Sequence, residues 1–290
     1  MIDILKQMEQ LFSNEEQCIE FVYKIKWPTG FLCPVCTHTS AYVITTRRLP
    51  LYECNRCGRQ TSLTAGTAMD KSKTPLQKWL LTLFIVATHE QSINAVGLSA
   101  LIDVTYKTAW SMLNKLRRVI SASDMSTLLS GMIKAKLEIY MKQPIPTYDA
   151  LQQEHAAIVA RTVTTHNETS YVKIKLAPAQ KHPRAVLNKL AEHAFMEQHI
   201  CSTFSQIEIN KKYSNPPHCE AKLPRIAKNA FQWINNTFHG LGLAYAQSYL
   251  DEFCFRQNYS RNLTRCPFEL LLELCLSHTN THYHPQISAA

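Results

Sequence analysis

No stretch of this 290-residue chain approaches the eighteen or so uninterrupted apolar residues of a membrane-spanning helix, which sets that class aside. The start, Met1-Ile2-Asp3-Ile4-Leu5-Lys6, has no basic segment followed by an apolar run, so no signal peptide is expected. Internal repeats and long low-complexity tracts are also missing. Six of the ten cysteines (Cys18, Cys201, Cys219, Cys254, Cys266, Cys275) follow no framework spacing, which argues against a disulfide-stapled secreted scaffold and for a reducing cytosol. Acidic residues are the scarcer charge, 22 against 31 Lys and Arg, leaving a formal net charge of +9. What remains is ordinary: 46% apolar and 18% charged residues, in a chain long enough for two or three domains with a proper core.

The other four cysteines form two pairs, Cys33-Pro-Val-Cys36 and Cys54-Asn-Arg-Cys57. The residues between the pairs suffice for a short hairpin that brings the second pair back to the first. Four thiolates gathered this way suit tetrahedral Zn²⁺, and the spacing is that of a zinc ribbon; disulfides within the set are the alternative. Four sulfurs leave no open coordination position, so the zinc expected on Cys33, Cys36, Cys54 and Cys57 is structural.

Charge is unevenly placed. Residues 1–46 hold three Lys/Arg against five Asp/Glu, whereas residues 47–118 hold eleven against four, a local excess of +7. Such a block suits phosphate neutralisation, with nucleic acid as the partner; a solubilising surface is the plain alternative. Its candidate DNA contacts are Arg47, Arg48, Arg56, Arg59, Lys107, Lys115, Arg117 and Arg118.

Periodicity orders the rest. Ile4–Tyr23 has helical spacing, interrupted by a helix start at Ser13-Asn14. Strands are expected at 41–46 and 51–53, with a closing strand at 61–67. Pro75 opens an apolar helix, Ser92 reads as the N-cap of a helix over 93–101, and a basic helix follows at 106–120 after a short turn. Two helices, a tight turn and a basic third helix outline a helix-turn-helix, with a plain three-helix bundle as the alternative. Strands are expected at 134–140, 156–165, 170–176 and 205–209. Helices are expected at 183–199, 226–235, 243–256 and 267–277, with a loop marked by Pro216, Pro217 and Pro224. The tail from Thr279, with its histidines, reads as disordered.

Certain runs then resemble a known family. Trp27-Pro-Thr-Gly-Phe-Leu-Cys-Pro-Val-Cys36, Tyr52-Glu-Cys-Asn-Arg-Cys-Gly-Arg-Gln-Thr-Ser62 and Ala65-Gly-Thr-Ala-Met69 resemble the ribbon of bacterial zinc-ribbon insertion-sequence transposases. Tyr106-Lys-Thr-Ala-Trp110 and Leu116-Arg-Arg118 are similar to its helix-turn-helix. Trp233, Thr237, His239-Gly240 and Tyr249-Leu-Asp-Glu-Phe-Cys-Phe-Arg-Gln-Asn258 resemble its C-terminal signature. The resemblance is close over 20–120 and 229–262 and poor over 125–225.

The resemblance implies a multi-domain α/β chain: a helical lead-in (1–30), zinc ribbon (31–70), helix-turn-helix (71–124), a reduced RNase H-like mixed sheet with helices (125–278) and the tail (279–290). It implies a DDE-type recombinase acting in the bacterial cytoplasm at the nucleoid, with self-association left open. Such chemistry needs carboxylates, because two divalent ions held about 4 Å apart activate the attacking oxygen and stabilise the leaving one. Here the sequence departs from the family. Lys136 falls where the first Asp belongs, Glu208 or Asn210 takes the second position, Asn229 fits the third, and Phe231 replaces a lysine that usually follows it. Glu138, one side-chain alternation from Lys136, shares its side of the strand.

Three readings follow. The first is a transposase-derived DNA-binding protein with a dead centre. The second is an active, Mg²⁺-using transposase with an acidic set drawn from Glu138, Glu208 and Glu220. The third is a zinc-ribbon protein adaptor.

Overall fold

The structure, a computed structural model, describes residues 12–88, 92–142, 154–163, 171–178, 186–213, 222–260 and 265–277. The helix expected from Ile4, the Pro216-Pro217 loop, Glu220 and the histidine tail lie outside these residues. The chain divides into two compact units: residues 1–89, 95–119 and 268–290 form one, and residues 90–94 and 120–267 the other. Among the described residues no helix is long and apolar enough to cross a membrane.

In the first unit, α1 (Glu15–Lys26) begins where Asn14 accepts the Gln17 backbone N–H at 2.8 Å. Glu15 and Glu16 in its first turn and Lys24 and Lys26 in its last both complement the helix dipole. A three-stranded antiparallel sheet follows: β1 (Ala41–Ile44), β2 (Leu51–Cys54) and β3 (Gln60–Ser62), in that order. The sheet is thin, with Tyr42 and Val43 both exposed, so its apolar support comes from one side. There Tyr23, Trp27, Phe31 and Tyr52 interlock with ring centroids 5.0–5.9 Å apart. The Lys26 ammonium bonds the carbonyls of Leu63 (2.7 Å) and Ala65 (3.0 Å), and burial draws its pKa down to about 8. The closing strand is shorter than expected. From Thr64 the backbone turns, because the Thr67 hydroxyl donates to Thr64 C=O and accepts from Met69 N–H.

Next come α2 (Leu76–Thr88), α3 (Ala95–Leu101) and α4 (Tyr106–Ser126), the last passing at Val119 into the second unit. Thr105 caps α4 by accepting the Thr108 N–H. Ser92 is not a cap. Its φ is +63° and its hydroxyl donates to Glu252 at 2.9 Å, so α3 starts at Ala95 instead. The helix α8 (Pro267–Ser277), expected within the 125–278 domain, joins the first unit, where Phe268 packs with Phe12, Phe21 and Phe84.

The second unit is built on β4 (Leu129–Met141), β5 (Glu154–Thr162), β6 (Val172–Leu176) and β7 (Ile200–Asn210), ordered β6-β5-β4-β7. Of these three strand pairs, β4/β5 and β5/β6 are antiparallel and β4/β7 is parallel. A register shift at Leu129/Gly131, with Gly131 at φ +81°, starts the regular part of β4. Odd β4 residues Ile133, Ala135 and Leu137 pack toward α5 (Lys189–His199). Even positions face α6 (Lys222–Phe238) and α7 (Leu243–Tyr259), where Tyr140, Ala157, Val159, Val172 and Ile174 form the larger core. The helix α5 starts at Lys189, not 183, because Asn188 caps it. Val186 and Leu190 are exposed, whereas Leu187, Ala191 and Phe195 are buried. Pro224 sits inside the first turn of α6, where no N–H is needed.

The run 249–258 proves architectural. The helix α7 lies along the free edge of β6, and its amides substitute for a missing strand. Gln247 bonds Leu176 N–H and Ile174 C=O, and Asn258 bonds both backbone groups of Val172. Asp251 bonds Lys175 (2.6 Å) and Ser121 (2.7 Å), while Asp124 bonds Lys173 (3.2 Å) and Lys175 (2.6 Å). Burial works against the Lys175 charge, but the Asp251 and Asp124 carboxylates outweigh it and hold its pKa above the usual lysine range. Asp251→Asn is expected to cost about 3 kcal/mol by leaving two buried lysines with one carboxylate. Denaturant unfolding checks this; a cost within experimental error would contradict it.

Candidate functional site

Two knuckles of matching geometry bring the four cysteines together. Thr37 N–H bonds Cys33 C=O at 3.0 Å and Gly58 N–H bonds Cys54 C=O at 2.9 Å. Each turn closes on a residue of positive φ, +56° at Thr37 and +68° at Gly58. The four sulfurs lie within 4.8 Å of one another, with Cys33–Cys57 at 3.6 Å and Cys36–Cys54 at 3.5 Å. Tetrahedral zinc with Zn–S near 2.3 Å would set sulfurs about 3.8 Å apart, so the donor set fits that ion. All four cysteines are free, which removes the disulfide alternative. The thiols also perturb one another. The Cys36 backbone N–H draws the Cys33 thiol down to about 6. At Cys36 the His38 N–H acts in the same direction, but burial and the other three thiols push it up to about 12. Sulfurs this close cannot all ionise without a cation among them.

The basic side chains divide by exposure. Arg47, Arg56, Arg59, Lys107 and Arg118 are exposed. Arg48 is exposed but donates to the carbonyls of Lys73 and Thr74. Lys115 is half-buried, bonded to Asp70 C=O and 5.9 Å from the Trp79 ring centroid, and burial lowers its pKa. Arg117 is only 3% exposed, which removes it from the surface its neighbour Arg118 presents. Trp110 on α4 is 42% exposed, whereas Met112 is buried.

The three catalytic positions that the resemblance implies, and the lysine position that follows the third, are scattered in character. Lys136 is 1% exposed and its ammonium donates to Glu138 Oε1 at 2.5 Å. On the neighbouring strand Asn210, not Glu208, stands opposite Lys136; Glu208 stands opposite Lys134 and is exposed. Asn229 is exposed on α6, one residue from buried Ala230. Phe231 packs edge-on against Tyr140, with centroids 5.4 Å apart. Tyr213 C=O accepts from Lys136 at 3.2 Å, a contact that sequence reasoning missed. That bond spans 77 residues, and no local pattern encodes it.

Residues 13–60, which span α1, β1, β2 and both knuckles, match the family described as the transposase zinc-ribbon domain. An uncharacterized protein in transposable element ISH50 of Halobacterium salinarum is 26% identical over 166 residues. That stretch is 57% of this chain and 53% of the relative, so the chain spans about half the length of the protein it matches. No solved structure matches. The chain thus carries the transposase type of zinc ribbon in its N-terminal part and is similar over more than half its length to a protein of an insertion element.

Proposed function

We propose that this is a double-stranded-DNA-binding protein of the insertion-sequence transposase kind, without strand-transfer activity. Zinc on Cys33, Cys36, Cys54 and Cys57 stiffens the ribbon, and α2, α3 and α4 act as a helix-turn-helix. The tight turn capped at Thr105 and the exposed basic residues of α4 support that assignment. The order β6-β5-β4-β7, with β4 and β7 parallel, supports an RNase H-like reading of the second unit. The loss of activity rests on one observation. The centre of β4, where a metal-binding Asp is expected, holds a buried ammonium already paired with the nearest carboxylate. The protein works in the cytoplasm at the nucleoid, and Mg²⁺ has no role in it.

Fluorescence anisotropy on labelled duplex DNA tests the binding half. Affinity is expected to fall steeply with salt, each phosphate contact contributing a slope of about −0.9 in log K against log salt. Lys107→Ala with Arg118→Ala should weaken binding several-fold and flatten the slope by about 2. Affinity that is flat in salt would favour the adaptor reading instead.

A further inference from the structure

An ammonium has three N–H donors and, once buried, needs an acceptor for each. Lys136 has them: Glu138 Oε1 at 2.5 Å, Tyr213 C=O at 3.2 Å and Leu137 C=O at 3.4 Å. The Tyr213 ring centroid lies 5.7 Å from the same nitrogen, within cation–π range. Glu138 is 9% exposed, so both charges of the pair are largely shielded from solvent. One carboxylate and two carbonyls, all oxygen, are also the kind of ligand set that hard divalent cations take. Tyr213 lies three residues beyond β7, so this one nitrogen ties the middle of the central strand to the segment leaving the edge strand.

We propose that Lys136 is a built-in cation. Its ammonium occupies the place of a bound divalent ion between β4 and the segment after β7, neutralises Glu138, and keeps metal out. The proposal builds on the reading of Lys136 as the residue at the first carboxylate position. Its test reads stability and ion response, so it fails or stands separately from DNA binding and strand transfer.

The zinc-loaded full chain is heated in the calorimeter with and without millimolar Mn²⁺, and amide exchange in β4 and β5 localises the response. The native chain should show no Mn²⁺ shift there. Lys136→Met leaves Glu138 buried without a counter-ion and should lower the midpoint by about 10 °C. Mn²⁺ should then restore several degrees, because the vacated oxygens accept it. Lys136→Met with Glu138→Gln should recover most of the loss and ignore Mn²⁺. If the single variant does not fold, the double variant still should, and a double variant that also fails overturns the proposal. So does a Lys136→Met chain as stable as native, or one that folds less stably and ignores Mn²⁺. A Mn²⁺ shift in the native chain that Glu138→Gln abolishes overturns it as well.

Discussion

Removing zinc from the purified chain is expected to unfold residues 31–70 outright. The three strands of this segment are only three or four residues long, and the exposure of Tyr42 and Val43 leaves the sheet little core of its own. The aromatic cluster of Tyr23, Trp27, Phe31 and Tyr52 anchors one side only. A sheet this small cannot bury enough apolar area to offset its ordering entropy, so metal binding supplies much of the folding free energy. For structural zinc that term is roughly 10–16 kcal/mol at neutral pH. One tightly held zinc per chain is therefore expected by elemental analysis, and Cys54→Ser should lose it. On chelation, amide protection should vanish from β1 to β3 and persist in β4 and β5. A chain that holds no zinc, or a Cys54→Ser variant that keeps a full equivalent, would contradict this.

The ribbon was legible in the sequence because its chemistry is local. Two Cys-x-x-Cys turns, each closing on a residue that reaches positive φ, write the site into consecutive residues. The helices α2, α3 and α4 were legible for a similar reason, the residues of their apolar faces lying close along the chain. Ser92 misled because its hydroxyl serves a carboxylate 160 residues away, not its own helix. Arg117 and Arg118 show the same limit. Adjacent and chemically alike, they part company because a helix turns about 100° per residue and buries one of them.

In the second unit the alternation of β6, Val172-Lys-Ile-Lys-Leu176, was visible as a strand. That its lysines are buried was not, because their partners come from Asp124 and Asp251 on separate helices. The C-terminal signature reads in sequence like a functional motif. In the structure Asp251 pairs with a lysine, Glu252 with Ser92 and Arg256, and Asn258 with a strand edge. Those acids are committed to packing and do not form a cluster open to metal.

A duplex cleavage and strand-joining assay with Mg²⁺ or Mn²⁺ is expected to give no product from the native chain, even where DNA binding is intact. Two divalent ions in such a centre require carboxylates on adjacent strands, and β4 offers Lys136 with Glu138 neutralised beside it. The lost metal term is worth several kcal/mol, and each 1.36 kcal/mol is a factor of ten in rate, so the native deficit amounts to roughly three orders of magnitude or more. Lys136→Asp alone should not restore activity, because the residue opposite it on β7 is an amide, Asn210. Lys136→Asp with Asn210→Asp places carboxylates on facing positions of the parallel pair, beside Glu138. This is the variant in which metal-dependent nicking should return. The register selects Asn210 over Glu208, so Lys136→Asp with Glu208→Asp serves as the control and should stay silent. Robust cleavage by the native chain that disappears in Glu138→Gln would mean that a shifted acidic set is at work. In that case the ammonium of Lys136 would be a partner in catalysis and not its replacement.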